Sequence, residues 1–275
     1  MEHKKSLGQN FLNSQKIAED IVGASKTDFK DVVLEIGPGE GILTRELLKT
    51  VKKVVAVEKD SRLIPVLTEK FNTEIKDNKL ALIYGDILNF DLSKIVFDTS
   101  MPRVPLGIGR GYKVVANIPY YITGQILRKF LEAENKPESM TLLVQKEVAE
   151  RIVAKDKKES LLSLSVKIYG KPNYVKTVSK AFFAPQPKVD SAILHISNIV
   201  NHFPKVRPLG NGKERFFDLI HAGFAHKRKQ LFSNLCQKYD RKKILKAFEA
   251  LKIPMKIRAE DLPLEVWTEL CKNIE

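Results

Sequence analysis

The sequence predicts an α/β fold in which a mostly parallel sheet is sandwiched between helices and followed by a small helical C-terminal domain. Three observations predict it. Short runs rich in Val, Ile and Leu alternate with helical patterns from Val32 to about Ile196, the order that successive βα units produce. Several of these runs close on Gly or Asn, residues that punctuate strands. Between His202 and Gly212 the pattern lapses into Pro204, Pro208, Gly210 and Asn211, and beyond it the chain turns helical and basic. The reading therefore divides the chain into a domain at 1–201 and a helical, basic domain at 202–275.

Taken in order, the strands are expected at Val32 to Ile36, Lys53 to Val57, Leu80 to Tyr84, Val114 to Ala116, Thr141 to Val144 and Ala192 to Ile196. Ligands in open α/β sheets bind beyond the carboxyl ends of the strands. Gly37, Glu58, Asp86 and Asn117 are thus expected to converge on one edge. In the C-terminal part, Lys227, Arg228, Lys229, Arg241, Lys242, Lys243 and Lys246 surround Phe232, Leu235, Ile244 and Phe248, as in small packed helices with solvated basic faces.

The charge narrows the function classes. A formal net charge of +14 over 275 residues points to a polyanionic partner, either nucleic acid or an anionic membrane surface. No apolar run approaches the roughly 18 residues of a spanning helix, and no signal-peptide core follows the N-terminus, so a cytoplasmic protein without a membrane partner is expected. Cys236 and Cys271 are too far apart for a C-x-x-C motif, which argues against a disulfide framework or zinc site. His221 and His226 lack a third ligand, so no metal is expected.

The stretch VVLEIGPGEGILTREL is a strand, a glycine turn and a helix start, with Gly37, Gly39 and Gly41 spaced G-x-G-x-G. A dinucleotide fingerprint needs G-x-G-x-x-G, but Ile42 follows Gly41, and Pro38 has no N–H for a pyrophosphate. That weighs against the nicotinamide dehydrogenase reading. About twenty residues on, Glu58 closes the second strand where a carboxylate accepts hydrogen bonds from ribose hydroxyls. Asp86 in Gly85-Asp86-Ile87 supplies another acidic strand end. A glycine turn without a phosphate-binding lysine, with two strand-end acids, suits a nucleoside that carries no phosphate, and S-adenosylmethionine has that chemistry.

Strand four runs KVVANIPYYIT and delivers Asn117-Ile118-Pro119-Tyr120. The exocyclic nitrogen of adenine is a poor nucleophile, because its lone pair is delocalised into the ring, and a site must hold it in place. The Asn117 side-chain oxygen and the Ile118 carbonyl are suited to accept both amine hydrogens. Pro119 stiffens the turn, Tyr120 offers a ring for stacking, and a paired base has to be unstacked to enter.

These residues resemble the ribosomal RNA adenine dimethyltransferases, the family whose bacterial small-subunit members are called KsgA. The resemblance runs through KKSLGQNFL, LEIGPGEGILT, AVEKD, GDILNFD, ANIPYYIT, VQKEVAERI, FFAPQPKVDSAI and KIRAEDLPLE, and covers nearly the whole chain. It implies a Rossmann-like class I methyltransferase sheet, S-adenosyl-L-methionine as cofactor, and dimethylation of two adjacent adenosines near the 3′ end of small-subunit ribosomal RNA. It also implies a role in assembly of the pre-30S particle, and the expected state is a monomer. Position by position, it assigns Asn10, Leu12, Gly37, Gly39, Glu58, Asp86 and Asn117 to the cofactor's surroundings. Phe183 is assigned to the face of the target adenine away from Tyr120, with Phe182 beside it. Where the family commonly has F-x-P-P-P-K, Gln186 replaces the middle proline, and the 98–111 stretch departs from the family's pattern without an assigned role.

Lys146, Arg151, Lys155, Lys157 and Lys158, together with the C-terminal cluster, are expected to serve as a set in tracking an RNA backbone. Two alternatives stay open. One is the related large-subunit enzyme of the macrolide-resistance type, against which Asp190 in PKVDS and the RAEDL block weigh. The other is a non-catalytic ribosome assembly factor, against which intact Glu58, Asp86, Asn117 and Tyr120 weigh.

Overall fold

The central strands are apolar along their whole length, because strands buried on both faces have no polar face to expose. The computed structural model describes residues 10–92, 111–204 and 212–274. A two-residue strand β1 (Phe11–Leu12) and helix α1 (Gln15–Ser25), capped by the Ser14 side chain, precede β2 (Val32–Ile36). There follow α2 (Ile42–Leu48), β3 (Lys53–Glu58), α3 (Leu63–Lys70), α4 (Asn72–Lys76), β4 (Leu80–Tyr84), β5 (Tyr112–Asn117), α5 (Thr123–Glu132) and β6 (Ser139–Gln145). Next come α6 (Lys146–Val153), α7 (Leu161–Lys167), β7 (Lys171–Val178), β8 (Phe183–Ala184) and β9 (Ser191–Ser197).

Among the described residues, seven strands make one sheet in the order β4-β3-β2-β5-β6-β9-β7, and β1 pairs with β8 in a separate ribbon. The pairs from β4 to β6 are all parallel, while β9 runs antiparallel to β6. The expected α/β class holds, and all six expected strands are present, four of them longer by one to three residues. β7 was not expected. Its side chains are mostly exposed, so KPNYVKTV has neither a continuous apolar run nor a clean alternation.

Contacts divide the chain into two units, Met1–Ala149 with Pro172–Ile199, and Glu150–Lys171 with Val200–Glu275. The segment Glu150–Lys171, which the sequence reading placed in the first domain, thus goes with the C-terminal part. Its bonds explain why. The Glu159 N–H donates to the Glu260 carbonyl at 2.7 Å, the Val200 N–H to the Tyr169 carbonyl at 2.8 Å, and Lys158 pairs with Asp261 and Glu260. The Tyr169 and Phe203 rings meet edge-to-face at 5.1 Å.

The second unit continues with α8 (Gly212–Gly223), α9 (Leu231–Leu235), α10 (Arg241–Ala250) and α11 (Leu264–Asn273). Trp267 is fully buried and stacks on Phe224, and Phe232 packs against Phe248. The buried Asn234 side chain donates to the carbonyls of Gly223 and His226, which holds the exposed turn carrying Lys227, Arg228 and Lys229. Pro208, Gly210, Asn211 and the 98–111 stretch apart from Gly111 lie outside the described residues. Among the described residues, no helix is long and apolar enough to cross a membrane.

Candidate active site

Register brings the site together. Ile36 on β2 sits beside Val57 on β3 and Ala116 on β5, Glu58 beside Tyr84, and Asn117 beside Leu143. The chain leaves these parallel strands at one sheet edge, where a cavity of about 230 Å³ opens. Asn10, Leu12, Gly37, Gly39, Glu58, Asp86, Asn117, Ile118, Pro119 and Tyr120 all line it, together with Phe11, Glu35, Lys59 and Tyr121.

The glycine turn is held from inside the site. Gly39 has φ of +58°, and a Cβ there would sit 2.8 Å from the Phe11 ring, so only glycine fits without displacement. The Gly39 N–H donates to Glu58 Oε2 at 3.1 Å, and the Asp60 N–H to Oε1 at 2.8 Å. Each carboxyl oxygen of Glu58 therefore has one backbone donor and retains capacity for a further one. Burial raises the Glu58 pKa, while the N–H groups of Asp60 and Gly39 oppose that rise.

Asp86 accepts from the Leu88 N–H at 3.0 Å and from Lys59 Nζ at 2.8 Å. Burial works to raise its pKa, but Lys59 and the Leu88 N–H outweigh it and hold the carboxyl below its usual value. Lys129 donates to the carbonyls of Leu88 and Phe90, which fixes the loop behind Asp86.

Asn117 ends β5, and its Nδ2 donates to the Asn10 backbone carbonyl at 3.0 Å. That bond sets the amide plane and leaves Oδ1 as an acceptor. The turn behind it is stiff: Pro119 has φ of −57°, the Ile122 N–H donates to the Pro119 carbonyl, and Thr123 Oγ1 donates to the Tyr120 carbonyl. The Tyr120 hydroxyl and Ser191 Oγ share a hydrogen bond of 2.6 Å, which anchors the ring by its polar end. Burial pushes the Tyr120 pKa up, and its phenol stays protonated.

Phe183 is the exception among the expected site residues. It is 3% exposed and belongs to the apolar core that includes Leu12, Val178 and Ile193, instead of the cavity lining. The cause is its pairing: Phe183 lies opposite Leu12 in the β1–β8 ribbon. Phe182 precedes it and is 39% exposed. Asp190 pins the same loop, accepting from the Lys180 N–H through its side chain and from the Lys146 N–H through its carbonyl. Of the basic residues after β6, Lys155 pairs with Glu150 and Lys158 with Asp261, so these two charges are partly neutralised.

Sequence reasoning missed Glu35, Lys59 and Tyr121. Glu35 was visible as a lone acid inside an apolar strand, and Tyr121 as the second tyrosine of PYY. The Lys59–Asp86 pair joins neighbouring strand ends and has no local signature.

The cavity is walled by acids on one side and by N-I-P-Y on the other, and the chain that forms it matches the family model of ribosomal RNA adenine dimethylase over residues 1–275. The chain belongs to the ribosomal RNA adenine dimethylase family. Curated relatives named ribosomal RNA small subunit methyltransferase A include one from Dehalococcoides mccartyi, 43% identical over 98% of this chain and 88% of its own length. Another, from Fusobacterium nucleatum, is 38% identical over the whole chain and 98% of its own length. Among solved structures, the 23S rRNA methyltransferase ErmE is similar with a TM-score of 0.75 at 26% identity, covering 96% of this chain and 99% of its own. A dimethyladenosine transferase from Plasmodium falciparum gives 0.72 at 26% identity, covering 94% and 95%. The sheet of this dimethylase-family chain is the Rossmann-like class I methyltransferase sheet.

Proposed function

We propose that the chain transfers methyl groups from S-adenosyl-L-methionine to N6 of two adjacent adenosines near the 3′ end of small-subunit ribosomal RNA, forming N6,N6-dimethyladenosine. The observation that carries this reading is the Asn117 amide, whose Nδ2 is held by the Asn10 carbonyl so that its oxygen serves as an acceptor at the cavity wall. Such a group orients a primary aromatic amine, which is what adenine N6 requires.

The residues present fit the cofactor. Glu58 keeps acceptor capacity on both oxygens for two ribose hydroxyls, Asp86 can accept from an adenine amino group, and the wall offers no phosphate-binding lysine of the P-loop kind. When bound, the cofactor's sulfonium supplies an electrophilic methyl carbon. The chain's part is to hold and orient. Asn117 and the Ile118 carbonyl accept the amine hydrogens, and Tyr120, anchored through Ser191, provides a ring for the base. The exposed basic residues of the second unit, Lys227, Arg228 and Lys229 among them, suit phosphate contacts in the small-subunit particle. The chain acts as a cytoplasmic monomer in this reading.

The test is incubation with labelled cofactor and undermethylated ribosomal subunits, followed by mass spectrometry of digested RNA. Dimethyladenosine in small-subunit RNA is expected. Label confined to large-subunit RNA would favour the macrolide-resistance type of enzyme, and particle binding without label would favour an assembly factor.

A further inference from the structure

One ammonium on α5 grips the loop that carries Asp86 from behind. Lys129 Nζ donates to the Leu88 carbonyl at 3.1 Å and to the Phe90 carbonyl at 2.8 Å. The loop's own N–H groups are spent within the loop: Leu88 donates to Asp86 Oδ1, Asn89 to the Asp86 carbonyl and Phe90 to the Ile87 carbonyl. Replacing the lysine by an apolar side chain of equal length would leave two half-buried carbonyls without that donor. Asp86, Ile87 and Leu88 line the cavity, and so does Gln125, which stands one helical turn before Lys129 on the same face of α5. Lys129 itself is not among the lining residues, so it stands behind the wall and acts through the loop in front of it. The other wall does not depend on it, because the turn of Tyr120 is held at the start of α5 by Thr123 Oγ1.

We propose that Lys129 is a positioning residue for purine recognition: by holding the Leu88 and Phe90 carbonyls it keeps Asp86 aimed at the amino group of the cofactor's adenine, and so makes the site reject a purine with a carbonyl in that place. The inference rests on the reading of S-adenosyl-L-methionine as the cofactor. A carboxylate accepts from an amine and repels a carbonyl oxygen, so the discrimination depends on how firmly Asp86 is held at the ring edge. Burial works to raise the Asp86 pKa, and Lys59, the Leu88 N–H and, more weakly, Lys129 hold it below its usual value, which keeps the group an acceptor. A loop released from Lys129 lets the carboxylate swing away. The amine then loses its acceptor and the carbonyl loses its repulsion, whereas a general loss of packing would weaken both ligands alike.

Calorimetry of the full chain compares S-adenosylhomocysteine with S-inosylhomocysteine, in which a carbonyl replaces the purine amine. The wild type should favour the adenosyl ligand by at least about tenfold, the usual worth of a hydrogen bond to a charged acceptor. Lys129→Met should lose most of that preference, binding the adenosyl ligand about tenfold more weakly and the inosyl ligand within about twofold of the wild type. In methylation assays the variant's KM for S-adenosylmethionine should rise by a similar factor while kcat stays within about twofold. Where Lys129→Met does not fold, Lys129→Gln, shorter and neutral, replaces it under the same criteria. No preference in the wild type, an unchanged preference in a folded variant, an equal loss for both ligands, or a fall in kcat without a rise in KM overturns the positioning role alone. Failure of S-adenosylhomocysteine to bind the wild type overturns the cofactor reading and the positioning role with it.

Discussion

The two ends of the cavity are built from different materials. At the end proposed to hold the cofactor's adenosine, Glu58 is clasped by two backbone N–H groups and Asp86 by an N–H and an ammonium, so charge is fixed before a ligand arrives. At the end proposed to hold the target base, Asn117, Pro119 and Tyr120 are neutral, and their positions come from one hydrogen bond donated by the Asn117 amide to the Asn10 carbonyl, a proline turn and one hydrogen bond between the Tyr120 and Ser191 hydroxyls. Charge suits a hydrogen-bonded nucleoside that must stay. Neutral acceptors suit an amine whose lone pair must remain available, since a carboxylate there would attract cations and compete for the position.

The largest expected effect falls at the base end. Asn117→Ala should lower the rate of methylation by about 10² to 10³, the usual loss for an orienting acceptor, while calorimetry finds cofactor affinity within several-fold of the wild type. Comparable loss of affinity and rate would merge the two ends into one. Glu35 should then set the pH dependence of stability in the ligand-free protein. Burial raises its folded pKa to about 8, above the unfolded value of 4.5, so the folded state binds more protons between them and stability falls as pH rises through that window. The decline should amount to a few kcal/mol at most by denaturant titration, and Glu35→Gln should flatten it. Glu58→Ala comes next. It should weaken S-adenosylmethionine binding by roughly 1.5 to 3 kcal/mol without changing the position methylated, and tight NAD binding in its place would refute the assignment. Tyr120→Ala should cost about 1 to 3 kcal/mol of target engagement, read as a raised KM for RNA, whereas Tyr120→Phe keeps the ring and should lose little.

Much of this architecture is legible in the sequence, for a physical reason. Strands β2, β3, β5 and β6 are buried on both faces, so they read as apolar runs, and the polar residues that end β3 and β5, Glu58 and Asn117, also meet at the cavity. The places that escaped lack such a signal. β7 is an exposed edge strand, and β1 and β8 are two residues each, too short for any periodicity. Phe182 and Phe183 show the limit most clearly. Phe182 ends a one-turn 3-10 segment and Phe183 starts β8, so only the pairing of Phe183 with Leu12 decides which ring is buried. Glu35 escaped because a single acid in VVLEI does not break the strand pattern, and its burial exists only in three dimensions.

The β1–β8 ribbon sets a schedule for synthesis. Asn10, whose carbonyl orients Asn117, stands next to Phe11, and Phe11 pairs with Ala184. During translation the start of the chain therefore waits without its strand partner while more than half of the protein is made, and the pairing closes a loop whose ends are far apart in sequence. The adenosine wall, made from neighbours between Gly37 and Asp86, is available for assembly much earlier. A nascent chain should accordingly acquire the features that recognise a nucleoside before those that aim an amine, and methylation competence should emerge as one of the last properties of the folding unit.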